Sequence, residues 1–289
     1  MKRTYILWAL LFGFLPLARS QGVGVTADLS LEQSQLLPDE KMYLKLSIHN
    51  RSGQTLILGS ESDWVAFTVF GEKDTLVPQS GTGHVYAEGE TNVPAGMSAS
   101  REFNLTPYFD LHQPGRYSVK ATIKLPQWQQ EIAVPPVTFT IVNGIRLANL
   151  PEIDPPVGVP LPHGDSNQPP EIRRYFLEKS DAAAGSKLYV RLTDGSGGRT
   201  LRLIQIGPFF TYTQPDVKLD RYNALHVLHQ TGSKDFTYCV IDTLGLILER
   251  QTYQYTDRRP SLRADGQGGV VVTGGARVIS DSDLPPPQK

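Results

Sequence analysis

Among the residues able to do chemistry, the histidines offer one close pair, His226 and His229 in LHVLHQ, and the cysteines a single thiol, Cys239 in FTYCVI. On a strand, residues three apart point to opposite faces, so the two imidazoles cannot ligate one metal without a bulge. A lone cysteine in an alternating apolar segment reads as a small buried core residue rather than a nucleophile. Asp194, Asp242 and Asp265 each stand beside or near a glycine, in DGSGG, DTLG and DGQGG. A calcium loop needs several oxygen ligands at alternating positions, and each of these segments supplies one carboxylate, so the aspartates read as turn punctuation. The acid pairs Asp216 with Asp220 and Asp281 with Asp283 serve a glycosidase only if the fold sets two carboxylates about 5 to 9.5 Å apart across a cleft. No nucleophile elbow, phosphate-binding loop, dinucleotide fingerprint or zinc-protease helix is written in the chain. No catalytic residue, cofactor or metal ligand set is therefore assigned. The expected working surface is aromatic: Phe209, Phe210, Tyr212, Tyr222, Tyr253 and Tyr255, around GPFFTYTQP and QTYQY, with the 208–214 loop as the contact segment.

The elements that must position these groups are strands. KLYVRLTD, RTLRLIQIG, ALHVLHQTG, FTYCVIDTLG, LILERQTYQY and GGVVVTGGARVI alternate or run apolar, and turn residues separate them. Sliding the chain by 37 positions aligns Leu188 with Leu225, Val190 with Val227, Gly195 with Gly232 and Ile204 with Ile241. The same shift brings Leu262 and Gly269 into register as a third, more degraded copy. A period of roughly 40 residues with apolar alternation and Gly-rich turns belongs to stacked antiparallel β-meanders such as propeller blades. Room for two to three units falls short of the four to eight blades of a closed propeller. The expectation is an open stack or sandwich, or homo-oligomerisation through open sheet edges. EIRRYFLEKSDAAAG, 171–185, is the one stretch after the leader read as able to hold a turn or two of helix.

Upstream, VTADLSLEQ, KMYLKLSIHN, TLILG, DWVAFTVFG, ASREFNLTPY, GRYSVKATIKL and PVTFTIVNG give about seven short strands, the inventory of an immunoglobulin-like β-sandwich. In KMYLKLSIHN the inward set is Met42, Leu44, Leu46 and Ile48. Trp64 reads as the core plug and Tyr117, just after a Pro-Gly turn, as a tyrosine corner. IHNRSGQTLILG, DWVAFTVFG and PGRYSVKA resemble the secreted immunoglobulin-like domains of uncharacterised bacterial proteins. More loosely, they resemble the sandwich of the intracellular proteinase-inhibitor family from bacilli. The resemblance implies a fold, and no inhibitory-loop motif transfers with it. FTYCVIDTLGLILERQTYQY, 236–255, resembles the cadence of a propeller blade, and LRADGQGGVVVTGG, 262–275, resembles a blade opening.

Lys2 and Arg3 precede an apolar run, Tyr5 to Leu17, and Ala18 and Ser20 occupy the small-residue positions of a cleavage site. Residues 1–20 are thus expected to be a signal peptide, which implies an exported protein, periplasmic or extracellular, with no membrane span after cleavage. Removing Lys2, Arg3 and Arg19 from a chain with 28 basic and 29 acidic residues leaves a net charge of about −4. That balance argues against a nucleic-acid partner. NLPEIDPPVGVPLPHGDSNQPP marks a stiff linker. The organisation expected is all-β: an immunoglobulin-like sandwich at 21–146, a Pro-rich linker at 147–170, blade-like meanders at 171–279 and a disordered tail at 280–289. The functional expectation is a non-catalytic binding protein of the cell envelope with a protein or glycan partner. A carbohydrate-active hydrolase or lyase, and an inhibitor of secreted proteinases, are the alternatives.

Overall fold

The computed structural model describes residues 24–61, 63–80, 85, 89–147, 172–182, 185–210 and 213–284. The expected leader, nearly all of the expected linker and Tyr212 lie outside these residues. Among the described residues there is no α-helix, and no helix is long and apolar enough to cross a membrane.

The first region contains β1 (Val25–Leu31), β2 (Gln35–Leu36), β3 (Tyr43–Asn50), β4 (Leu56–Leu58), β5 (Val65–Phe70), β6 (Thr91–Val93), β7 (Ser98–Asn104), β8 (Gly115–Leu125) and β9 (Gln130–Ile141). One sheet has the order β1-β3-β7 and the other β2-β9-β8-β5, with β2 parallel to β9 and a small β4-β6 pair beside them. The inner faces of both sheets enter one core. Leu44, Leu46 and Ile48 of β3 meet Val65, Phe67 and Val69 of β5 and Val119, Ala121 and Ile123 of β8. Alternation along β3 is strict on its apolar side, with Tyr43 and Lys45 facing out, as the period-2 pattern requires. Trp64 is buried against Phe103 at a ring separation of 6.4 Å. Tyr117 donates its hydroxyl to the Gln113 carbonyl at 2.7 Å, the backward bond of a tyrosine corner. Asn50, at the end of β3, is fully buried and donates to the carbonyls of Gln54 and Val93, so it is a core anchor.

The second region contains β10 (Ile145–Arg146), β11 (Arg173–Ala182), β12 (Gly185–Asp194), β13 (Thr200–Pro208), β14 (Asp216–Leu219), β15 (Leu225–Gln230), β16 (Asp235–Ile241), β17 (Ile247–Gln254), β18 (Ser261–Ala264), β19 (Val270–Thr273) and β20 (Ala276–Val278). Two meanders, β10-β11-β12-β13 and β14-β15-β16-β17-β20, pack face to face. The β18–β19 hairpin covers the far face of the second meander. On its own far face the first meander meets the sandwich. The molecule is a stack: sandwich, sheet, sheet, hairpin.

Two expectations change. Within the 171–185 stretch, Arg173–Ala182 form strand β11, paired along its length with β12. Its Glu, Lys and Ala content favours helix weakly, but Arg173, Tyr175 and Leu177 are buried alternately and the tertiary pairing decides. The 37-residue repeat matches strand to strand but not the pairing within each hairpin, since Val190 pairs with Ile204 whereas Val227 pairs with Cys239, and its meaning differs too. It equates β12–β13 with β15–β16 and places Leu262 on β18, so the repeated unit is a hairpin. Leu188 and Leu225, from the two different meanders, both point into the same core. Successive propeller blades would point them in one sense, so the two meanders form a sandwich. Within the expected tail, Asp283 accepts from Thr252 at 2.9 Å and pairs with Arg277 at 2.8 Å, and Leu284 bridges to Arg250.

Candidate functional site

The punctuating aspartates do the work of turns. Asp242 accepts the N–H groups of Leu244 and Leu246 at 3.0 and 2.7 Å, and Asp265 those of Gln267 and Gly269 at 2.7 and 2.9 Å. Asp220 does the same for Tyr222 and Ala224. The bonds hold the Asp265 carboxyl below the usual carboxylate range. Asp194 is held low chiefly by the Ser196 hydroxyl. Each carboxylate is thus occupied by backbone or by a neighbouring side chain.

The histidines point to opposite faces of β15, as their spacing requires. His226 turns toward the β18–β19 side, with Nδ1 at 2.7 Å from the Tyr238 hydroxyl. Asp220 Oδ2 stands 3.3 Å from its Nε2, in ion-pair range but off the axis of a ring N–H bond. Burial lowers its pKa against the pull of Asp220. His229 turns toward the first meander, where its Nε2 lies against Gly207, and it is 1% exposed. Burial pushes its pKa down to about 4. The Pro208 carbonyl is close enough to oppose that shift, although neither ring nitrogen makes a well-aligned hydrogen bond among the described residues. Cys239 is fully buried, and burial raises its thiol, which leaves it an unreactive core group.

The aromatic set does not form one surface. Phe209 is buried in the core between the meanders, whereas its neighbour Phe210 is 37% exposed and donates its N–H to Gln230. Tyr253 is half-buried, edge-on to Tyr238. Tyr255 is exposed at the Lys234 end of the second meander, where its N–H reaches the Lys234 carbonyl. Tyr222 is 69% exposed in the β14–β15 turn, at the other end of β15. Six residues of strand, about 17 Å, separate the two ends. Phe210 and Tyr255 therefore share an end, and Tyr222 stands apart with Arg221 stacked on its ring at 4.7 Å.

Sequence reasoning passed over the junction between the sandwich and the first meander. Arg191 of β12 donates to Glu178 at 3.0 Å and to Asp39 at 3.0 Å, and a further bond reaches the Pro38 carbonyl. Glu40 accepts from Leu37 N–H, Gln33 and the Tyr189 hydroxyl, at 2.8, 2.6 and 3.0 Å. Gln35 reaches Ser180 and the Asp181 carbonyl. These bonds join loops of the sandwich to the outer face of the sheet. Their sequence signal was the polar half of β12, Tyr189, Arg191 and Thr193, all buried. Beside this clamp a cleft of about 190 Å³ opens between Tyr43, Glu32 and Lys41 on one wall and Leu203 and Gln205 of β13 on the other.

β13 is the feature that remains open. It is nine residues long, pairs with β12 on one side, and ends its sheet on the other. Among the described residues no backbone hydrogen bond reaches its outer side. Two register irregularities, near Leu201 and Ile206, leave Arg202 to Gln205 as its regular stretch. Ile204 and Ile206 are anchored in the core, so the open edge is held by one face.

No family model matches the chain, and no curated protein matches it. Among solved structures it is similar to the crystal structure of Spo0M, a sporulation control protein from Bacillus subtilis. The two are 11% identical with a TM-score of 0.27, over 64% of this chain and 90% of that one. At that score the likeness carries no argument about this chain's function.

Proposed function

We propose that the protein is an exported, non-catalytic interaction protein of the cell envelope that receives an extended segment of a protein partner along the open edge of β13. The supporting observation is that edge: nine residues of strand, unpaired on one side among the described residues, running beside a cleft between two domains. An extended chain added there satisfies backbone donors and acceptors, and pockets for alternate side chains give selectivity. Leu203 and Tyr43 supply apolar contact, and Gln205 and Lys41 supply polar contact. In this reading the immunoglobulin-like sandwich is a support, and the Arg191 and Glu40 bonds hold the cleft at fixed width. Glu40, the cleft carboxylate an enzyme reading would enlist, is occupied by three donors.

The test is a substitution that blunts the edge and spares the core. Leu203→Lys places a charge on the cleft side of β13, the device by which natural edge strands refuse pairing. A partner recovered by site-specific cross-linking from Gln205 is expected to be lost with Leu203→Lys and retained with Tyr222→Ala. Retention by Leu203→Lys, or a cross-link that ignores the position on β13, overturns the reading.

A further inference from the structure

On the opposite side of the second meander, a second cleft of about 240 Å³ lies between β14, β15 and the turn that enters β18. Its floor is apolar: Leu228 and Phe236 are core residues, and Pro260 is buried. Its rim is polar, with Gln214, Asp216, Ser261 and the exposed guanidinium of Arg259.

The rim is built rather than loose. Gly274 and Gly275 have φ of 76° and 65°, and a Cβ on either would come within 2.6 Å of the Arg259 carbonyl or the Pro260 ring. Gly275 N–H also donates to the Arg258 carbonyl at 2.9 Å. The two glycines thus let the Arg258–Pro260 turn press against the sheet and present Arg259 over the Phe236 ring at 5.3 Å. Asp216 spends one oxygen on the Leu262 N–H at 2.7 Å, and its other oxygen accepts nothing among the described residues. Arg259 has no ion pair there, only its ring contact. A cation and a free acceptor oxygen therefore face one small cleft without neutralising each other.

From this juxtaposition we propose that the cleft is a subsite for one acidic sugar residue, a hexuronate unit of an anionic glycan. A uronate carries what each wall lacks. Its carboxylate takes the guanidinium fork, its hydroxyls donate to Asp216 and exchange bonds with Gln214 and Ser261, and its C–H face lies on Pro260 and Leu228. The size agrees, since the cleft is below the roughly 300–1,000 Å³ of drug-sized sites and admits one ring. A phosphate group fits less well, because the Asp216 carboxylate would repel it. An acidic peptide side chain has no hydroxyl to give Asp216. The inference goes beyond the β13 reading and stands or falls without it.

Titration calorimetry of the full chain lacking residues 1–20 with trigalacturonate, cellotriose and a triglutamate peptide tests the proposal. Trigalacturonate is expected to bind with a Kd of ~1 mM or tighter, and the other two at least tenfold more weakly. Arg259→Ala is expected to lose tenfold or more in affinity. Arg259→Lys, which keeps the charge and the fold, falls between. Asp216→Asn, which keeps an acceptor for Leu262 N–H, also weakens binding. Arg263→Ala, outside the cleft, leaves it unchanged. Three results overturn the proposal: no heat with trigalacturonate at ~10 mM, equal affinity in Arg259→Lys and the parent, or triglutamate binding as tightly as trigalacturonate.

Discussion

Strand β3 in the sandwich and strand β15 in the second meander are of similar length, yet they are buried in different ways. Along β3 burial alternates, and the charged or polar residues take the wet side except for the terminal Asn50, which is buried and hydrogen-bonded. Along β15 every residue is buried, including His226, His229 and Gln230. The difference comes from layer position. A sheet at the outside of a stack needs one apolar face, whereas the middle sheet is covered on one side by the first meander and on the other by the hairpin. Polar residues on a middle strand must then be neutral or partnered. The lesson is that the two regions should respond differently to anything that changes charge.

The sharpest break of the comparison is Arg191→Ala at the junction. It leaves Glu178, 7% exposed in its side chain, without the strongest of its cations, and removal of one partner from such a pair costs about 3–5 kcal/mol. The expected outcome is loss of coupling between the regions, read as two unfolding transitions in place of one. The described tryptophans, Trp64 and Trp128, report on the sandwich alone, while far-UV circular dichroism reports on both regions.

Acid comes next. His229 is neutral in the fold because its pKa is depressed to about 4, whereas in the unfolded chain it protonates near 6.5. The unfolded state therefore gains protons first as pH falls. Stability is complete above about pH 6.5 and is lost progressively down to about pH 4, by roughly 3 kcal/mol. Urea titrations of the Arg191→Ala chain, in which the two transitions are separate, at pH 7.5, 5.5 and 4.5 are expected to lower the midpoint of the second region more than that of the sandwich. A His229→Gln chain should show a flatter dependence. Equal acid sensitivity of the two regions would erase the distinction drawn from burial. The smallest effect is in the sandwich: Tyr117→Phe removes one corner bond and should cost about 1 kcal/mol, with no change in its pH dependence.

How much of this was legible can be argued residue by residue. KMYLKLSIHN announces its faces, because a half-wet strand writes its geometry as alternation. LHVLHQ carries only parity: it tells that His226 and His229 part company, but not that both are covered. Coverage depends on what packs from elsewhere in the chain. The repeat was visible and its strands match, but a shift that preserves parity cannot say whether two hairpins stack in sequence or face each other. Phe209 and Phe210 show the same limit, since one of two adjacent aromatics must turn inward and nothing local chooses which. The cleft at Arg259 was written only as a pair of glycines in VVVTGGAR, whose role depends on a turn fifteen residues upstream.

The β18–β19 hairpin has an inner side that joins the core through Leu262, Val270 and Val272, while Ser261, Arg263 and Val271 face water. It is the last layer to begin as well as the outermost, and the edge strand β20 follows it in the chain. Each layer of the stack begins in the chain after the layer on which it rests, so a polypeptide emerging from its N-terminus finds a surface to build upon, and β20 alone returns to complete the second meander after the hairpin. The hairpin covers the stack with a largely polar back. Growth has a direction written into it, and a final course that offers little purchase for another.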